Sequence, residues 1–243
     1  MKVRGKRRAV AAVMAHPDDV EHSMGGTAWL LRNAYCLHIL CATGGERGIR
    51  GKSADEARQI RQKEQAAACK LFGAKLAFLG RMDGDLYADK GICDEVAGRL
   101  ARLKPVAVFT HWPINEHPDH TAAYDLTIRA IRQAGIRDRT EVYLSENAIG
   151  TQTNQFCPDV YVNISRVIEA KKTLVRCHRS QNPDEGAVER VVSRNQFRGM
   201  LAGCEYAEGF KTLYPLTANG PRGRATLLLG AGATWAGVLK QSI

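Results

Sequence analysis

The sequence lacks the features that would mark several broad classes of protein. Its longest apolar stretch, 227–239, is interrupted by three glycines. That is shorter than the ~20 residues a bilayer core requires, so no membrane span is expected. Long blocks of like charge are missing, and an apolar fraction of 44% excludes the disordered class. The seven cysteines (Cys36, Cys41, Cys69, Cys93, Cys157, Cys177 and Cys204) are odd in number and form no C-x-x-C pair. That usage points to reduced, partly buried thiols and a cytoplasmic protein. No internal repeat, low-complexity linker or obvious boundary divides the chain. The 243 residues therefore read as a single domain, 1–243, long enough to bury a core without disulfides.

Lys and Arg outnumber Asp and Glu by 35 to 25, for a formal charge of +10. Such a balance favours acidic partners. The basic residues are nevertheless spread along the chain with no aromatic interleaving, so no nucleic-acid partner is expected. Solvated helix faces explain most of the excess, and the remainder mildly favours an anionic small molecule. The N-terminus imitates a signal peptide: 1–8 is basic and 9–15 apolar. The apolar run has seven residues and leads straight into His16-Pro17-Asp18-Asp19, so cleavage would fall beside the most chemically loaded residues in the chain. It reads as a first buried strand.

From there strands and helices alternate. Strands are expected at 8–15, 35–42, 75–79 and 106–110, and helices at 19–33, 53–71, 91–103 and 118–134. Gly25-Gly26 inside the first helix marks a weakness or a close approach. Ser53 and Glu56 have the spacing of a capping box, and Gly73 stands past that helix's end. Alternation of this kind predicts an α/β fold, a mostly parallel sheet with helices on both faces. Beyond Glu141 the pattern loosens to strands at 142–145 and 160–164 and helices at 166–177 and 188–202. The stretch 203–243 carries no assignable pattern.

Ligands of open parallel sheets bind outside the carboxyl ends of the strands. Four polar loops fall there: His16–Asp19, Gly44–Arg50, Arg81–Asp85 and His111–His120. Imidazole and carboxylate from two segments form a donor set that Zn²⁺ accepts, and catalytic zinc takes three protein ligands. His16 and Asp19, three apart across a strand-to-helix turn, can share one ion, and His120 or His117 supplies the third ligand. His22 and His38 read as structural. His178, after a basic helix, reads the same way with a smaller prospect of reaching the rim.

His16-Pro17-Asp18-Asp19 with Gly25-Gly26-Thr27, together with His117-Pro118-Asp119-His120, resembles the PIG-L/LmbE-like zinc-dependent de-N-acetylases. Thr43-Gly44-Gly45-Glu46, Arg61-x-x-Glu64 and Leu71-Phe72-Gly73 resemble further motifs of that family. Tyr206–Phe210 is similar to the C-terminal part of its bacillithiol-pathway members. The resemblance implies a Rossmann-like fold, hydrolysis of an N-acetylglucosamine-type amide, and an N-acetylated amino sugar as the small-molecule partner. It also implies Zn²⁺ on His16, Asp19 and His120, and oligomeric relatives suggest a homo-oligomer. Asp18 would be general base, His117 the acid or carbonyl polariser, and Asp119 the partner that orients His117. Glu46, Arg61 and Asp83 would contact substrate. Some members carry Tyr where Asn115 stands, so that position departs from the pattern.

The chemistry agrees on its own terms. An amide is a poor electrophile, so its hydrolysis needs an activated water, a polarised carbonyl and a proton for the departing amine. Three other readings explain less. A nucleotide- or S-adenosylmethionine-binding Rossmann enzyme would carry its glycine fingerprint after the first strand, where His-Pro-Asp-Asp stands. A metal-dependent phosphoesterase would want more carboxylates on the rim. A nucleic-acid module leaves both His-Pro-Asp clusters unexplained.

Overall fold

The computed structural model describes residues 7–148, 152–213, 227–230 and 233–235; positions 1–6 of the signal-like segment lie outside them. Strand β1 (Ala9–Met14) leads to α1 (Asp19–Leu31), β2 (Cys36–Thr43), α2 (Ala54–Phe72) and β3 (Lys75–Arg81). Then come α3 (Lys90–Leu103), β4 (Ala107–His111), α4 (Pro118–Gln133) and β5 (Glu141–Ser145). These five strands are parallel and ordered β3-β2-β1-β4-β5, as the alternation predicts.

The chain continues through β6 (Val160–Asn163), α5 (Ile168–Arg176), α6 (Gly186–Ala202), β7 (Ala207–Thr212), α7 (Leu227–Gly230) and β8 (Ala233–Trp235). β7 joins β5 antiparallel, β6 joins β7, and β8 joins β6, which completes an eight-stranded sheet. β7 and β8 fall in the stretch where the sequence shows no pattern. In β7, the buried Glu208 and the glycine beside it break the apolar signature of a strand.

β1 is buried on both faces, which is why it reads as an uninterrupted apolar run. Val10, Ala12 and Met14 pack with residues of α1, α2 and α5. Ala11 and Val13 point the other way and pack with α3 and α4. α2 begins as its sequence predicts: Ser53 Oγ accepts from Glu56 N–H, and the Glu56 carboxylate accepts from Ser53 N–H.

α1 is not continuous. Met24 sits at φ −139°, ψ 18° and separates the first turn, which begins at Asp19, from the rest of the helix. The glycines after the break serve different ends. A Cβ on Gly26 would lie 2.7 Å from Ile164 Cγ2, whereas one on Gly25 would meet its nearest neighbours at an ordinary 3.6 Å. Gly26→Ala should therefore destabilise the fold by about 1–3 kcal/mol through overpacking. Gly25→Ala should be neutral or stabilise by about 0.5–1 kcal/mol. Urea denaturation of the two variants separates these outcomes.

Candidate active site

β1 lies between β2 and β4. The chain leaves β1 toward β2 and leaves β4 toward β5, so the connections diverge and open a crevice at the carboxyl ends of β1 and β4. The loop 15–19 forms one wall and the loop 111–120 the other. Sheet order alone thus brings together two histidines 104 positions apart: His16 Nδ1 lies 3.2 Å from His120 Nε2.

Asp19 closes the set, with Oδ2 3.6 Å from His16 Nδ1 and Oδ1 3.4 Å from His120 Nε2. Corners of a tetrahedral zinc site with ~2.0–2.1 Å bonds are separated by about 3.3 Å, the scale of the His16–His120 approach and of each histidine's approach to one oxygen of the Asp19 carboxylate. Their outward atoms fit as well. His16 Nε2 donates toward Asp119 Oδ2 at 3.1 Å and Asp83 Oδ1 at 3.2 Å. His120 Nδ1 faces Asn115 Oδ1 at 3.2 Å. With its outer nitrogen donating, either ring when neutral turns a lone pair inward, the tautomer that metal-binding imidazoles adopt.

The charges follow. Burial works to lower the His16 pKa, but hydrogen bonds to Asp119, Asp19 and Asp83 outweigh it and hold it well above its ordinary value. Burial would raise Asp19, yet the facing His120 and His111 keep its carboxyl well below the usual range. His120 is pushed down to about 4, chiefly by burial and then by His111. The pocket thus favours positive charge at the point where the three donors meet.

His117 caps α4, and its Nδ1 accepts from Asp119 N–H at 3.3 Å, which leaves the ring proton on Nε2. Its ring lies 4.5 Å from that of His16 and 4.8 Å from that of His120. Burial, then His16 and His120, lowers its pKa, so the ring is neutral near pH 7. The expected link from the Asp119 carboxylate to His117 is not made. That carboxylate accepts from Gly84 and Leu86 N–H and reaches His16 instead, because α4 turns the Asp119 side chain back under the crevice.

The three residues expected to contact substrate are occupied by the protein. Glu46 Oε2 accepts from Gly44 and Asp83 N–H and so ties two loops together. Asp83 braces His16 and accepts from Arg47 N–H. Arg61, 4% exposed, donates through Nη2 to Pro17 O at 2.6 Å and Asp18 Oδ2 at 3.1 Å. Its guanidinium fills space over the glycine-rich loop, where a Cβ on Gly45 or Gly48 would lie 2.5 or 2.2 Å from Nη1.

Asp18 occupies a left-handed conformation, φ 104° and ψ −23°, which costs a non-glycine residue on the order of 1–3 kcal/mol. Its N–H donates to Gln65 Oε1 at 2.8 Å. Burial raises its carboxyl pKa, and Arg61 only partly opposes the shift.

Behind the crevice lies a buried polar layer. Glu208 accepts from Gly26 and Thr27 N–H, starting α1 anew after its break. The Lys171 ammonium pairs with Glu208 and donates to His22 O, and Arg194 donates to the same carbonyl. Asn147 donates to Asp19 Oδ1. His111 Nε2 lies 3.2 Å from Asp19 Oδ2, and its ring stacks on His120 at 4.1 Å. His111 and Asn147 are additions to the residues expected from sequence. Both stand at or just beyond a strand's carboxyl end, the signal that singled out the other rim loops. Lys171→Met would leave the Glu208 charge buried without its partner and should cost about 3–5 kcal/mol in chemical denaturation.

A crevice of buried imidazoles and carboxylates at the switch point of a parallel sheet is the site of an α/β-class enzyme, with side chains that could hold a metal ion. The family model PIG-L, described as GlcNAc-PI de-N-acetylase, matches residues 11–131. A probable N-acetyl-α-D-glucosaminyl L-malate deacetylase 2 of Bacillus cereus is 32% identical over 184 residues, 72% of this chain and 84% of the relative. The N,N′-diacetylchitobiose deacetylase of Pyrococcus horikoshii superposes with a TM-score of 0.76 at 26% identity, over 85% of this chain and 84% of that one. A 4-oxalmesaconate hydratase of Pseudomonas putida is 25% identical over 86% of this chain and 90% of its own. The chain belongs to the PIG-L family of de-N-acetylases.

Proposed function

We propose that this protein hydrolyses the N-acetyl group of an N-acetylglucosamine conjugate with a zinc ion held by His16, Asp19 and His120. The observation that carries the reading is the convergence of His16 Nδ1, His120 Nε2 and the Asp19 carboxylate at 3.2–3.6 Å, with each outer imidazole nitrogen facing an acceptor. Zinc bound there supplies Lewis acidity and lowers the pKa of water toward ~7. Similarity to deacetylases of sugar conjugates supports the substrate class.

The residues divide the proton work. Asp18, next in sequence to a ligand and with its carboxyl pKa raised by burial, accepts the proton from the attacking water. His117 Nε2–H donates a hydrogen bond to the carbonyl oxygen as the water oxygen bonds to carbon, and the proton held by Asp18 passes to the amine nitrogen as the C–N bond breaks. Acetate and a free amino sugar result. Glu46, Arg61 and Asp83 serve by bracing the loops that hold these groups. On the exposed β2–α2 loop Arg47 pairs with Asp85, and the exposed Arg50 is a cation available to an anionic aglycone. All seven cysteines are free thiols, which supports a place in the cytoplasm.

A second reading, hydration of an unsaturated carboxylate, is suggested by the near full-length likeness to the Pseudomonas putida hydratase. A panel of N-acetylglucosaminyl malate, N-acetylglucosaminyl inositol, diacetylchitobiose and an unsaturated dicarboxylate separates the two. Release of acetate and amine supports de-N-acetylation; loss of the alkene absorbance without acetate supports hydration. Two variants test the assignments. His16→Ala should lose bound zinc and activity together, and a variant that keeps stoichiometric zinc would remove His16 from the ligand set. Asp18→Asn should keep the metal while kcat falls on the order of 10²–10⁴-fold, the usual contribution of a general base. Metal analysis alongside steady-state kinetics checks both.

A further inference from the structure

The reading of Asp18 as base leaves open what holds it in place. Its backbone is strained, and its N–H has one partner, Gln65 Oε1 at 2.8 Å. Gln65 is fixed from its other end: Nε2 donates to Glu21 Oε1 at 2.9 Å. Glu21 in turn faces His178 Nε2 through Oε2 at 3.1 Å, across 157 positions of chain. Glu21 and His178 have no exposed surface and Gln65 has 1%, so none of the three can touch substrate. His178 Nδ1 has no partner, so the ring's one hydrogen bond goes to Glu21.

The segment bearing His178 is itself fastened to α2. Ser180 N–H and Oγ donate to the two oxygens of Glu64, at 2.8 and 2.6 Å. Arg61, Glu64 and Gln65 thus form one face of α2, at spacings of three and four. Arg61 grips the Asp18 carboxylate and Pro17 carbonyl, Gln65 grips the Asp18 N–H, and Glu64 anchors the support beneath.

We propose that Gln65, held by the buried Glu21–His178 pair, is the positioning residue that sets Asp18 in its left-handed conformation and aims its carboxylate into the crevice. The amide orientation follows from both ends of the chain. An acceptor must face the Asp18 N–H and a donor must face the Glu21 carboxylate, and a glutamine presents one of each. From sequence His178 reads as structural, and Glu21 and Gln65 carry no assigned role. Their role is to act on the chemistry through the backbone of one residue.

This inference rests on Asp18 as base, and the test keeps the two apart. Gln65→Leu, Asp18→Asn and the double variant are compared on N-acetylglucosaminyl malate and diacetylchitobiose for kcat, KM and bound metal. Hydrogen exchange is followed at the Asp18 amide. Gln65→Leu should keep its metal and hold KM within about 2-fold, while kcat falls on the order of 10- to 100-fold, the scale of a small misplacement of a reacting group. The Asp18 amide should exchange faster, and the double variant should be no slower than Asp18→Asn alone.

Wild-type kcat in Gln65→Leu, with Asp18→Asn inactive, overturns the positioning role and leaves the base intact. Multiplicative losses in the double variant overturn it as well. Should Asp18→Asn stay active, the base assignment fails, and unchanged exchange at the Asp18 amide then decides against Gln65 as its anchor. If Gln65→Leu does not fold, His178→Leu and His178→Gln carry the test, because glutamine can restore a donor at the Nε2 position. Loss of kcat in the first and recovery in the second sustain the proposal; equal kcat in both rejects it.

Discussion

Two imidazole nitrogens face each other across 3.2 Å, and the rest of the rim answers to that crowding. Neutral rings in such an arrangement repel, and only a proton or a metal cation placed between them relieves it. The protein prevents the simpler escape, in which a ring turns over, by giving each outer N–H an acceptor, buried at Asp119 and half-buried at Asn115. Those acceptors are held in their turn. Asp119 receives two backbone N–H groups, and Asp83 is tied to the glycine-rich loop. Each layer outward gives up freedom so that the layer within keeps its orientation.

The same logic explains an otherwise costly interior. Lys171, Glu208, Glu21 and His178 are completely buried, and ion pairs in such surroundings are weak sources of stability. Here they mend specific backbone wounds. The break at Met24 leaves the His22 carbonyl and the Gly26 and Thr27 N–H groups without helical partners, and Lys171, Arg194 and Glu208 take them up. The unfavourable geometry of Asp18 is likewise met by Arg61 and Gln65. Polar burial in this protein is concentrated where the chain departs from regular structure.

The sequence made the parallel half of the fold legible because its strands are buried on both faces and its helices carry recognisable stops. Ser53, Glu56 and Gly73 are found in the capping roles their spacing predicts. The convergence of His16, Asp19 and His120 was legible for a related reason: ligands at the carboxyl ends of adjacent parallel strands have little choice but to meet. What could not be read was direction. Glu46, Arg61 and Asp83 have the chemistry of substrate contacts, yet each turns inward, and linear spacing does not say which way a rim side chain faces. β7 was hidden because Glu208 occupies a core position that a strand pattern reserves for apolar residues. Asp119, which the family resemblance would set beside His117, reaches His16 instead, as α4 orders its first turn.

The dependence of the first turn of α1 on β7 has a consequence for how the molecule is made. During synthesis His16, Asp18 and Asp19 leave the ribosome early, but Glu208, which starts the helix again just beyond them, is encoded near the far end of the described chain. Lys171, Arg194 and His178 also emerge late. A nascent chain that has already formed β1 through β5 holds the donors without the supports that aim them. The centre is therefore finished only when α5, α6 and β7 dock on the parallel half.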